Sequence, residues 1–73
     1  MWNSGTKHIE VEVDGETFQG QYEVSSLSPP LCELVVWFRG KAEFEQIADH
    51  GADYHELCAR ESLVQMVKQC HNR

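Results

Sequence analysis

Residues 8–24 read HIEVEVDGETFQGQYEV. Ile9, Val11 and Val13 alternate with His8, Glu10 and Glu12, the period of a strand with one covered face. Asp14-Gly15 follows, a pair that tolerates the positive φ angles of a type I′ hairpin turn. A two-residue turn there sets Val11 opposite Phe18, Ile9 opposite Gly20, Glu10 opposite Gln19 and Glu12 opposite Thr17. Each pair joins apolar to apolar or polar to polar, with Gly20 neutral. The stretch therefore predicts a β-hairpin. One face carries Ile9, Val11, Phe18, Tyr22 and Val24, and the other His8, Glu10, Glu12, Gln19, Gln21 and Glu23.

Outward from this hairpin the chain divides simply. Residues 1–7 form an N-terminal arm. SSLSPP, residues 25–30, breaks the alternation, and its two prolines supply no backbone donors, so it connects two hairpins. The second hairpin spans 31–47 with Gly40 in its turn, and Asp49-His50-Gly51 makes a loop. From Asp53 the period becomes helical. Asp53 and Glu56 have capping-box spacing, and Lys68 and His71 suit the carbonyl end. Over 53–70, Leu57, Ala59, Leu63, Val64, Met66, Val67 and Cys70 share one half of the helix. Glu56 and Arg60 intrude there at ion-pair spacing, in a first turn expected to overhang the sheet. The predicted fold is α+β: one domain with a four-stranded antiparallel sheet, two hairpins in meander order, and one C-terminal helix packed on one face.

Residues 34–45, LVVWFRGKAEFE, raise a difficulty for that fold. The first strand is apolar on both sides: Leu34, Val36 and Phe38 point one way, Val35 and Trp37 the other. A two-residue turn, Arg39-Gly40 or Gly40-Lys41, puts Trp37 on one face with Ala42 and Phe44. A three-residue loop instead pairs Phe38 with Ala42 and Val36 with Phe44. In the first case Trp37, Phe44 and Val35 stand outside together. In the second, Trp37 and Val35 stand among Glu33, Glu43 and Glu45. Both registers leave an apolar patch centred on Trp37 on the helix-free face, rimmed by Glu10, Glu12, Glu23, Glu43 and Glu45. The competing arrangement has Trp2 and the N-terminal arm folded over that patch, or Trp37 as an isolated surface aromatic.

Composition bounds the function. Twelve acidic residues against six basic ones give a net charge of −6. That charge opposes direct binding to nucleic acid or to an anionic membrane, and it suits a basic protein surface. No run approaches the roughly 18 apolar residues of a membrane span, and the N-terminus has no signal-peptide pattern, so a cytoplasmic protein is expected. Cys32, Cys58 and Cys70 are odd in number and read as reduced thiols. On one helix, Cys58 and Cys70 would stand about 18 Å apart, too far for a disulfide.

Chemistry-bearing clusters are few. His50, His55 and Cys58, with Asp49 or Asp53 as a fourth donor, are the candidate zinc ligands, but they match no standard zinc spacing and no metal is assigned. Cys58 beside His55 has the makings of a nucleophile pair. No oxyanion hole or cationic cluster accompanies it. Glu10 with Glu12, and Glu43 with Glu45, read as solvated strand faces. No catalytic residue and no cofactor are expected.

V-D-G-E-T-F-Q-G-Q-Y-E-V (Val13 to Val24), L-V-V-W-F-R-G-K and a helix with E-L-C-A-R-E-S-L-V together cover most of the chain. They resemble small uncharacterised open reading frames of proteobacteria and their phages. Those share a V-D-G-x-x-aromatic-x-G-x-Y-x-V hairpin, a glycine-turn hairpin and a terminal helix. Trp37 departs from the pattern, which tends to a small polar residue there. The resemblance implies the fold and no activity. The expectation is a non-enzymatic, acidic protein-binding module. Its partner would be a basic surface of a nucleic-acid-handling machine such as RNA polymerase or a nuclease, and the chain a small phage or bacterial regulator or inhibitor. A homodimer through the same face is the alternative, and a small zinc-binding element a third.

Overall fold

A computed structural model describes residues 6–71. The elements are β1 (Lys7–Val13), β2 (Glu16–Ser26), β3 (Leu31–Phe38), β4 (Lys41–Ala48) and α1 (Ala52–His71). The strands form one antiparallel sheet in the order β1-β2-β3-β4, the expected meander. Trp2 and most of the N-terminal arm lie outside the described residues.

Both hairpins turn on two residues with positive φ: Asp14 and Gly15 at 54° and 81°, Arg39 and Gly40 at 52° and 80°. These are type I′ turns, whose twist matches that of the strands they join. The β1–β2 register is the expected one, with Val11 against Phe18 and Ile9 against Gly20. In the second hairpin the two-residue turn at Arg39-Gly40 holds, pairing Trp37 with Ala42 and Val35 with Phe44. Between the hairpins β2 runs on to Ser26, which pairs with Cys32, so the connector shrinks to Leu27–Pro30. Leu31 N donates to Ser28 O, and Leu27 N to Leu31 O, which closes that loop.

The helix begins differently from its capping-box reading. His55 N donates to Gly51 O, making Gly51 the residue whose carbonyl accepts the first intrahelical bond. Asp53 sits inside the first turn, where its charge still suits the helix dipole. The helix lies across β1, β2 and β3. Ala59, Leu63, Met66 and Val67 are buried against Ile9, Val11, Phe18, Tyr22, Cys32, Leu34, Val36, Phe38 and Ile47. Leu57, placed on the apolar half by the helical wheel, is exposed: at about 100° per residue it lies roughly 160° around the helix from buried Ala59. The first turns do not overhang, since Tyr54 and Cys58 pack against the core. The Glu56–Arg60 pair forms at 2.8 Å. Arg60 Nη1 also donates to Glu10 O at 2.7 Å, which satisfies a carbonyl on edge strand β1.

Gly20 sets how closely the helix approaches. A Cβ built there would lie 2.9 Å from the Trp37 carbonyl oxygen and 3.0 Å from Leu63 Cδ1. Backbone on one side and a fully buried leucine on the other leave it no room. We expect Gly20→Ala to cost about 1–3 kcal/mol, read as a lower urea midpoint at unchanged slope.

Tyr22 adds a pH dependence. Burial, and then the negative charge of Glu56, push its phenol above the ordinary value, against a smaller opposing effect of Arg60. A raised folded pKa means that the stability from the neutral phenol is complete below the unfolded value, about 10, and is lost as pH rises through the folded one. Urea midpoints should therefore fall above about pH 10, and Tyr22→Phe should make that fall shallower.

Candidate functional site

Strand alternation, read through the observed register, divides the sheet into two faces. The helix side carries the core. The other carries His8, Glu10 and Glu12 from β1, Gln19, Gln21 and Glu23 from β2, Glu33, Val35 and Trp37 from β3, and Ala42, Phe44 and Gln46 from β4. Among the described residues no element packs on this face.

Val35, Trp37 and Phe44 do come together here, but their exposures differ. Val35 is 9% exposed, Trp37 is half-buried and Phe44 is 66% exposed. Val35 is flanked by Glu23 on β2 and Phe44 on β4, with Trp37 two positions along its own strand. The apex of the patch is therefore Phe44, with Trp37 as its flank rather than its centre. The sequence pointed to Trp37 because it stands outside with either turn length, whereas Phe44 does so only with the two-residue turn; only the packing shows which ring is left open to water.

The acidic rim also needs correction. Glu10, Glu12 and Glu23 lie on the Phe44 face, joined by Glu33. Glu43 and Glu45 do not: they pair with Val36 and Leu34, whose side chains face the helix. They occur on that side because β4 lies beyond the helix's main footprint, so both remain exposed. Glu45 lines an open groove there with Cys58, Glu61, Val64 and Gln65. Charged residues pointing inward on an edge strand also discourage pairing with another sheet.

The strand residues of the Phe44 face include four carboxylates and no lysine or arginine. Arg39, in the turn beside Trp37, is drawn to the other side, 5.1 Å from the Phe38 ring centroid and 5.9 Å from that of Phe18. Thr6 Oγ1 donates to Glu23 Oε1 at 3.3 Å.

The candidate zinc ligands His50, His55 and Cys58 are not brought together. His50 meets the Tyr54 ring edge-on at 4.9 Å. Tyr54 lies beside Cys58, and hydrogen bonding between the two side chains comes first among the causes that raise the Tyr54 phenol pKa. Cys58 is half-buried against the core. His55 turns the other way, towards Asp49 and Cys32. Cys32 was missed because it lies on a distant strand, and only the β3–β4 pairing brings it to the helix start.

No family model matches the chain, and neither a curated protein nor a solved structure is significantly similar to it. No helix among the described residues is long and apolar enough to cross a membrane.

The different exposures give a direct test of the patch. Phe44→Ser should leave stability within about 0.5 kcal/mol, as for an exposed position. Val35→Ser, on the same face, should cost about 1–3 kcal/mol. Equal losses by urea denaturation would mean that Phe44 is covered.

Proposed function

We propose that the chain is a non-enzymatic protein-binding module whose working surface is the helix-free face, with Phe44 and Trp37 as apolar anchors. The observation that carries this reading is Phe44, 66% exposed next to Val35 and Trp37 on a face without a covering layer among the described residues. An aromatic anchor with a charged surround is common interface anatomy.

Charge favours a basic partner over a second copy of the chain. Two copies meeting through this face would bring Glu10, Glu12, Glu23 and Glu33 towards their own counterparts, with no lysine or arginine among the strand residues of this face to offset them. A basic surface gains from the same carboxylates, which also speed its approach. Proteins that handle nucleic acid carry such surfaces. The sharpest form of the proposal is a small phage or bacterial regulator or inhibitor occupying the basic surface of RNA polymerase or a nuclease. A cytoplasmic location goes with it.

The test is capture from bacterial lysate on the immobilised chain, at low and high salt, with wild type, Phe44→Ser and Trp37→Ala. We expect a basic protein retained by wild type, weakened at high salt, and reduced at least about tenfold by Phe44→Ser. Retention unaffected by both substitutions would overturn the surface. A wild-type dimer in sedimentation that Phe44→Ser converts to monomer would replace the basic partner with self-association.

A further inference from the structure

Cys32, Asp49 and His55 come from β3, the loop after β4 and α1, and their donor atoms meet. Cys32 is near the start of β3, paired with Ile47 on β4. Asp49 follows β4 directly, and His55 lies in the first turn of α1. One donor atom from each falls within 4.8 Å of the other two. We propose that these side chains form a binding site for a divalent transition metal of the zinc type, with sulfur, oxygen and nitrogen donors and a fourth position left for water or an outside ligand.

The geometry supports this beyond simple proximity. His55 Nε2 is buried and has no hydrogen-bond partner, although Asp49 Oδ1 is only 3.3 Å away. A buried ring nitrogen without a hydrogen-bond partner is costly, and coordination to a metal ion would offset that cost. The 3.3 Å separation also suits a shared ion. Bonds of about 2.0–2.1 Å from zinc to nitrogen and oxygen give a tetrahedral N···O edge of about 3.3–3.4 Å. Cys32 is buried, at 5% exposure.

The frame around the donors is fixed by the backbone. Asp49 N donates to Pro30 O at 2.9 Å, linking the end of β4 to the residue before β3. Gly51 N reaches Asp49 Oδ1 at 3.4 Å, and His55 N donates to Gly51 O at 3.0 Å. The donors therefore sit on short, mutually bonded segments. The mix of one thiolate, one imidazole and one carboxylate suits zinc or cobalt over calcium or magnesium, which take oxygen alone.

The probe is Co²⁺, added to tag-free full-length protein that has been treated with a chelator. We expect one equivalent to produce thiolate-to-cobalt charge-transfer absorption and the intense visible bands of a tetrahedral ion, displaced by Zn²⁺. Cys32→Ser should abolish the charge-transfer band, and His55→Ala or Asp49→Asn should weaken binding at least about tenfold. Cys58→Ser and His50→Ala should change neither. Should Cys32→Ser fail to fold, alkylation of the wild type decides: Zn²⁺ should slow modification of Cys32 and leave Cys58 and Cys70 unchanged. Absence of a sulfur band, its survival in Cys32→Ser, or equal alkylation of Cys32 with and without Zn²⁺ would overturn the site.

Discussion

A single helix has to cover a four-stranded sheet, and its width is the limit. At 20 residues α1 is about 30 Å long, enough to run the length of the strands, but only about 10–12 Å across. The axes of the two outer strands of four lie about 14 Å apart. The helix settles over β1, β2 and β3, as closely as Gly20 permits, and Leu63 fills the space where a β2 side chain would otherwise stand. Strand β4 is left at the margin on one face, and no element among the described residues covers the other.

The sequence of β4 reflects that position on both sides. Its inward positions carry Glu43 and Glu45, residues that a helix-covered strand would not tolerate, and only Ile47 is drawn into the core. Its outward positions carry Phe44 beside Val35 and Trp37. The carboxylates on the first side discourage pairing along the strand edge, while the aromatic on the second offers an anchor to a partner approaching the sheet face. On β1 the other edge is handled by Arg60, which binds Glu56 and reaches over to the Glu10 carbonyl.

The fold was legible because its local signals agree with one another. Alternation around Asp14-Gly15 leaves one sensible register, and the change of period at residues 52–53 marks the helix. Arg39-Gly40 is weaker: two turn lengths satisfy the same residues, and only packing chooses between them. That ambiguity is why Glu43 and Glu45 were counted with the Trp37 face, since a one-residue difference moves every side chain of β4 across the sheet. The helix start was misread for a related reason. Asp53 and Glu56 have the spacing of a cap, but the chain enters the helix from Gly51, at a positive φ of 104°. The Cys32, Asp49 and His55 cluster depends on strand pairing, so no local window of sequence contains it.

The two sites meet on β4. Phe44 lies in the middle of that strand and Asp49 just past its end. With little helix above it, β4 is held by its ladder to β3 and by the Asp49–Pro30 hydrogen bond. A metal bound at Asp49, Cys32 and His55 would tie the end of β4 to both β3 and α1, and so restrict the frame that presents Phe44. Binding linkage is reciprocal: if metal favours the arrangement that a partner needs, the partner must raise metal affinity by the same factor. The strand that the helix leaves least covered is thus the one through which the two proposed activities would communicate.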